Sequence, residues 1–156
     1  MKKSISPSDI IKFKNFISLI YENKDFKSIE TEKYLKNISS ELFIKIIYRQ
    51  KLILFLNDEK YLSLFNSHIR DFITQKTIEE NYFIKTIYNL LQYIHREFSE
   101  SGIRYINLKG VTLSLEIYEK INKRCVRDLD IFIDASDLYR TLQLLERIGF
   151  KKINGY

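Results

Sequence analysis

Apolar positions keep helical spacing through the first hundred residues and change to strand spacing after Gly102. Ile10, Phe13, Ile17 and Ile20 recur at intervals of three and four. Ser6 followed by Pro7 is a helix start, because a proline in the first turn gives up an N–H that has no intrahelical partner there. Residues 42–56 are apolar enough to predict one central, buried helix begun at Ser39 or Ser40. Thr77-Ile78-Glu79-Glu80 has the form of a capping box and opens the stripe Phe83, Ile87, Leu90, Leu91, Ile94, Phe98, which ends near Gly102. Three short strands are predicted beyond it, at 104–109, 127–133 and 150–154. Val111, Leu115 and Tyr118 mark a helix after Gly110, and Leu138, Leu142, Leu145 and Ile148 mark another between an N-cap at Asp134 and a C′ glycine at Gly149. The chain therefore reads as α+β, with a helical region at 1–100 packed on the small sheet of a 101–156 core as one compact unit. Its first two strands should be neighbours joined through a helix at 111–120. Asn154-Gly155 reads as a hairpin turn whose second strand has barely begun, so the expectation is the N-terminal part of a longer protein or a shortened form of one.

Composition narrows the function classes. With 45% apolar residues in 156, the chain can bury a sizeable core without staples. No run approaches the ~18 uninterrupted apolar residues of a membrane span. Pro7, Ser8 and Asp9 interrupt any secretory leader after Met1. Cys125 is the only cysteine, which excludes an intramolecular disulfide and a thiolate metal cluster and fits a reducing cytoplasm. The net charge of +6 is spread out: residues 1–100 hold 16 Lys and Arg against 13 Asp and Glu, and residues 101–156 hold 10 against 7. A diffuse charge of this kind permits contact with phosphates and does not demand it. The local cluster Lys120, Lys123, Arg124, Arg127 is different, because it immediately precedes a pair of acids.

Those acids carry the chemistry. Asp128 and Asp130 lie two apart in an apolar, β-branched run, Leu129 with Ile131-Phe132-Ile133. In a strand they would share a face with Cα atoms roughly 7 Å apart, the spacing of a clamp for a cation. Two anions on one face of a half-buried strand are costly without a compensating cation. The alternative is a solvated polar face of an edge strand. Upstream, a strand-like run ends at Lys109-Gly110 and a helical pattern follows, so a phosphate could approach the backbone there. Arg124 and Arg127 read equally well as phosphate ligands or as ion-pair partners of the acids. His68 and His95 have no partner at ligand spacing, and Cys125 has no histidine near it in sequence.

Lys109-Gly110, Tyr118, Arg124 four residues before the first acid, Asp128-Leu129-Asp130 and Leu145-x-x-x-Gly149-Phe150 together resemble the nucleotidyltransferases of the DNA polymerase β superfamily, and within it a bacterial group of uncharacterised nucleotidyltransferases. The resemblance covers residues 101–150. It implies a helical region on a small mixed sheet of nucleotidyltransferase type, with Asp128 and Asp130 as catalytic metal ligands for Mg²⁺ or Mn²⁺ and Lys109, Gly110, Arg124 and Arg127 around the nucleotide phosphates. It also implies an NTP as substrate, an acceptor hydroxyl on a small molecule, protein or RNA, and transfer of NMP with release of pyrophosphate. The superfamily has a third carboxylate on a later strand, whereas no acidic residue follows Glu146 in this chain. A second copy would have to lend that acid, or the chain is a non-catalytic remnant that binds nucleotide or protein. A nucleic-acid-binding module that uses the diffuse positive charge is the third reading.

Overall fold

The computed structural model describes residues 5–22 and 29–153, with side chains at 5–18 and 33–153. Two compact units make up the chain, one holding the residues up to Tyr82 with Lys123–Cys125, the other Phe83–Asn122 with the residues from Val126 onward.

The first unit is helical. Helix α1 (Pro7–Glu22) begins where Ser6 and Asp9 cap each other: Asp9 N–H donates to Ser6 Oγ at 3.2 Å, and Ser6 N–H donates to Asp9 Oδ2 at 3.0 Å. It buries Phe13 and Phe16, the second of which lies off the predicted stripe, while the Ile20 side chain lies outside the described residues. Helices α2 (Ile29–Asn37) and α3 (Ser40–Arg49) follow, α3 capped by Ser39, whose Oγ accepts from Leu42 N–H at 3.2 Å. The single helix predicted over 42–56 is in fact two, because α3 stops and α4 (Ile53–Leu56) starts afresh after Lys51, which adopts φ +58°. Lys51 N–H bonds to Tyr48 O and Leu52 N–H to Ile47 O, the paired bonds of a Schellman cap. A short α5 (Glu59–Leu62) leads to α6. Phe13, Phe16, Phe43, Ile46, Ile47, Ile53, Leu56, Tyr61, Phe65, Ile69 and Ile73 form this unit's core.

Helix α6 (Ser67–Glu100) is longer than predicted and runs straight through Thr77–Glu80. Its cap lies well before the expected box: Asn66 Oδ1 accepts from Ile69 N–H at 3.1 Å. Thr77 and Glu80 are instead buried positions on the helix face that carries Ile73, Ile84, Leu91, Ile94 and Phe98. The stripe therefore passes through Ile84, and Phe83, expected inside, is 37% exposed.

In the second unit, α6 ends in another Schellman cap, with Gly102 at φ +62° and Ile103 N–H bonded to Phe98 O at 2.8 Å. Strand β1 (Tyr105–Asn107), helix α7 (Val111–Tyr118), strand β2 (Ile131–Ile133), a 3₁₀ turn (Ala135–Asp137) and α8 (Leu138–Arg147) follow. The two strands are neighbours, as expected, and pair antiparallel with Tyr105 opposite Ile133, Ile106 opposite Phe132 and Asn107 opposite Ile131. One face packs Tyr105, Leu129, Ile131 and Ile133 against Ile94, Phe98, Ile103 and Leu144. The other carries Ile106 and Phe132, both about 60% exposed.

Two strand expectations change. Residues 150–153 form no strand, and the turn expected at 154–156 lies outside the described residues, so the described sheet has two strands and is antiparallel, not mixed. The second strand is three residues long because its partner ends: β1 gives way at Gly110 to α7, leaving residues 127–129 with no ladder to join. Helix α7 buries Val111 as expected, but its other buried position is Ser114, while Leu115 and Tyr118 are exposed.

Candidate active site

The site is assembled where β1 ends. Asn107, the last strand residue, donates from Nδ2 to Thr112 Oγ1 at 2.6 Å, which fastens the strand end to the first turn of α7. Its Oδ1 is buried without a partner among the described residues. Asn107 thus stands at the end of the strand, where its amide marks the turn into α7, a role that the apolar pattern alone does not pick out.

Gly110 sits just before α7 at φ +71°, ψ −123°, a conformation that only glycine adopts without strain. A Cβ on it would meet Val126 Cγ1 at 3.2 Å and the Asp128 carbonyl oxygen at 3.6 Å. The turn is thus packed directly against the backbone that carries the acids. Val126, 2% exposed, is the residue that fills this contact.

The chain from Val126 to Asp130 is irregular, so both acids precede β2 and neither lies within it. One further bond continues the ladder: Leu108 N–H donates to the Asp130 carbonyl at 3.0 Å. Leu129, Ile131 and Ile133 turn into the core, and the alternation leaves Asp130 and Phe132 on the opposite face. Asp128 is exposed and Asp130 is 36% exposed at its side chain.

Lys109 supplies the cation. Its Nζ lies 3.2 Å from Asp130 Oδ2, with the lysine side chain 63% exposed. A pair this open contributes about 0–1 kcal/mol and exchanges readily with solvent. Arg127 instead lays its guanidinium over the Phe83 ring, 5.4 Å from the centroid, and donates to the Val126 carbonyl at 3.1 Å. Arg124 belongs with the first unit, in the Lys123–Cys125 segment, where the Cys125 thiol is bonded to the Lys51 carbonyl at 3.6 Å. Lys109, Gly110, Arg127, Asp128 and Asp130 therefore belong to one unit, and Arg124 to the other. His95 has a partner of its own, with Nδ1 3.0 Å from the Tyr105 hydroxyl.

Among the described residues no group of three His, Cys, Asp or Glu side chains is arranged to hold a metal ion. Two carboxylates are a sufficient protein share for a Mg²⁺ ion that arrives with substrate phosphates, since such ions keep water and phosphate as their other ligands. By number and chemistry, Asp128 and Asp130 would suit an ion that arrives with a nucleotide, and they are too few for a resident structural one.

Neither a curated protein nor a solved structure matches the chain. Residues 52–155 match the family described as uncharacterised nucleotidyltransferase, a span that takes in the end of the first unit's core, all of α6 and both acids. With two-thirds of its length inside that match, the chain belongs to the uncharacterised nucleotidyltransferase family.

Proposed function

We propose that this protein binds a metal–NTP complex through Asp128 and Asp130 and transfers its nucleoside monophosphate to a hydroxyl acceptor, as in the DNA polymerase β superfamily. The single observation that carries the reading is the contact set at the end of β1: Lys109 on Asp130, with Gly110 packed against the Asp128 backbone. A cation already neutralises one acid, and a turn without side-chain bulk lies beside the other.

Asp128 and Asp130 would hold the divalent ion, which when bound neutralises charge on the triphosphate. The remaining work belongs to the chain. The glycine turn admits phosphate oxygens close to backbone at the start of α7. Lys109 is exposed and weakly held, so it can leave Asp130 for a phosphate oxygen when the metal takes its place. Positioning and charge stabilisation of the phosphates are the main contributions proteins make to phosphoryl transfer.

A second reading, nucleotide binding without transfer, is favoured by one observation, the absence of a third ligand among the described residues. Calorimetry with Mn²⁺ and ATP on the chain and on D128N/D130N tests the site. The metal-dependent part of ATP binding should disappear in the double variant, with thermal stability changed by no more than about 1 kcal/mol, because the Lys109–Asp130 pair that it breaks is open to solvent. Equal binding by the two proteins would overturn the assignment of the acids. Pyrophosphate release in the same mixtures separates transfer from binding alone.

A further inference from the structure

At the opposite end of the two-stranded ladder the molecule has a second charged feature. The pairing of Tyr105 with Ile133 brings the segment before β1 beside the segment after β2, whereas Lys109 and Asp130 flank the Asn107 and Ile131 end. The three-residue ladder separates the two ends by ~10 Å. Between the cap of α6 and the side of α8 lies a cleft of 280 Å³ lined by Ser101, Ile103, Arg140, Gln143, Leu144 and Arg147.

Its chemistry is one-sided. Arg140, Gln143, Leu144 and Arg147 occur at i, i+3, i+4 and i+7, so they form one stripe of α8 and face the same space. Leu144 is 5% exposed and anchors the stripe in the core, which fixes where the two arginines stand. The cap of α6 completes the wall: Gly102 lies so close that a Cβ on it would be 3.7 Å from Arg140 Nη2. The lining holds two guanidinium groups, an amide and a hydroxyl, and no carboxylate. The nearby Asp137 reaches Arg140 Nη1 only at 4.0 Å, too long for a strong hydrogen bond. Arg147 has no ion-pair partner among the described residues. Two turns of helix put the arginine Cα atoms ~10 Å apart, and long flexible side chains at that spacing can close on one diphosphate or on consecutive phosphates of a strand.

We infer that the cleft between the α6 cap and α8 is a phosphate-binding site, with Arg140 and Arg147 as its two cationic arms and Ser101 and Gln143 as its neutral hydrogen-bonding groups. It is distinct from the acids and does not depend on their role. The phosphates can belong to a nucleic-acid strand or to a free polyphosphate, and the two sources separate by experiment.

The probes are inorganic pyrophosphate and a single-stranded oligonucleotide without metal, titrated against the full chain, R140Q/R147Q, and K12Q/K14Q as a control that removes the same charge from the first unit. Both arginines are exposed, and unchanged melting of the double variant checks its folding. Backbone amide shifts at Ser101 and Gln143 should move with pyrophosphate in the chain and in K12Q/K14Q, and stay still in R140Q/R147Q. If a nucleic-acid strand is the ligand, R140Q/R147Q lowers the slope of log affinity against log salt by about 1.4, because each phosphate that an arginine neutralises on a single strand adds ~0.7. Abolished pyrophosphate binding with an unchanged oligonucleotide slope assigns the site to free polyphosphate. Binding of both probes by R140Q/R147Q as tightly as by the chain, an equal weakening in K12Q/K14Q, or failure of the chain to bind either probe would overturn the inference.

Discussion

Gly110 ties the backbone of the turn to the backbone of the acids. Because its φ of +71° is strained for any other residue and Val126 stands 3.2 Å from where a Cβ would go, G110A must shift either the turn or the Val126–Asp128 segment. Strain of this kind costs about 1–3 kcal/mol. Urea unfolding of G110A should show a destabilisation within that range, and a change below about 0.5 kcal/mol would mean that the turn relaxes freely. At this scale the sequence is informative for Gly110, Asp128 and Asp130, since a glycine ending a strand and acids at spacing two are visible in one dimension. The partner of Asp130 is less so. An arginine is the expected cation, yet Lys109, on a different segment, reaches it because Asp130 lies opposite Leu108 in the extended ladder.

Helix ends show what makes an element legible. Three helices close with the same pair of bonds: Lys51 to Tyr48 and Leu52 to Ile47 after α3, Gly102 to Ser99 and Ile103 to Phe98 after α6, Gly149 to Glu146 and Phe150 to Leu145 after α8. Glycine stands at the left-handed position in two of them, at Gly102 and Gly149, and both of those ends are marked in the sequence. In the third the position holds Lys51, so a break identical in hydrogen bonding leaves no mark and the apolar pattern runs two helices together. The left-handed conformation costs a non-glycine residue about 1–2 kcal/mol, and glycine gives back about 0.5–1 kcal/mol in backbone entropy. K51G should therefore stabilise the protein by roughly 0.5–1 kcal/mol, read as a higher urea midpoint at unchanged slope. A destabilised variant would show that the lysine side chain contributes more than its backbone costs. The converse holds at Thr77–Glu80, where a cap-like tetrapeptide lies inside α6 because buried positions at Ile73, Ile84 and Leu91 keep the helix going.

For the molecule as a whole, the class is legible and the sheet is not: helical period up to Gly102 is a long-range signal, whereas strand length depends on what the partner strand does. The response of the whole molecule to alkali follows from two partly buried tyrosines. Burial pushes Tyr34 up from 10.0 to about 12, with the Asp9 charge adding to it, and burial raises Tyr105 as well. Tyr34 is stacked on Phe16, with ring centroids 4.7 Å apart. A raised folded pKa means that the unfolded chain gives up the proton first, so stability is fully present below pH 10 and falls as pH rises from 10 toward 12. Melting temperatures across that window should decline, and Y34F should flatten the decline. An identical profile for Y34F would place the alkaline sensitivity elsewhere.

The bond from Leu108 N–H to the Asp130 carbonyl gives the site its own spectroscopic reporter. Asp130 presents a carboxylate to the proposed metal at one end and a ladder bond at the other, so a pull on the carboxylate is transmitted through its own Cβ and Cα to a single amide. In a ¹⁵N spectrum the Leu108 resonance should move when Mg²⁺ and nucleotide are added together and hold its position when the ion is left out, which makes occupancy of the acids visible without any turnover.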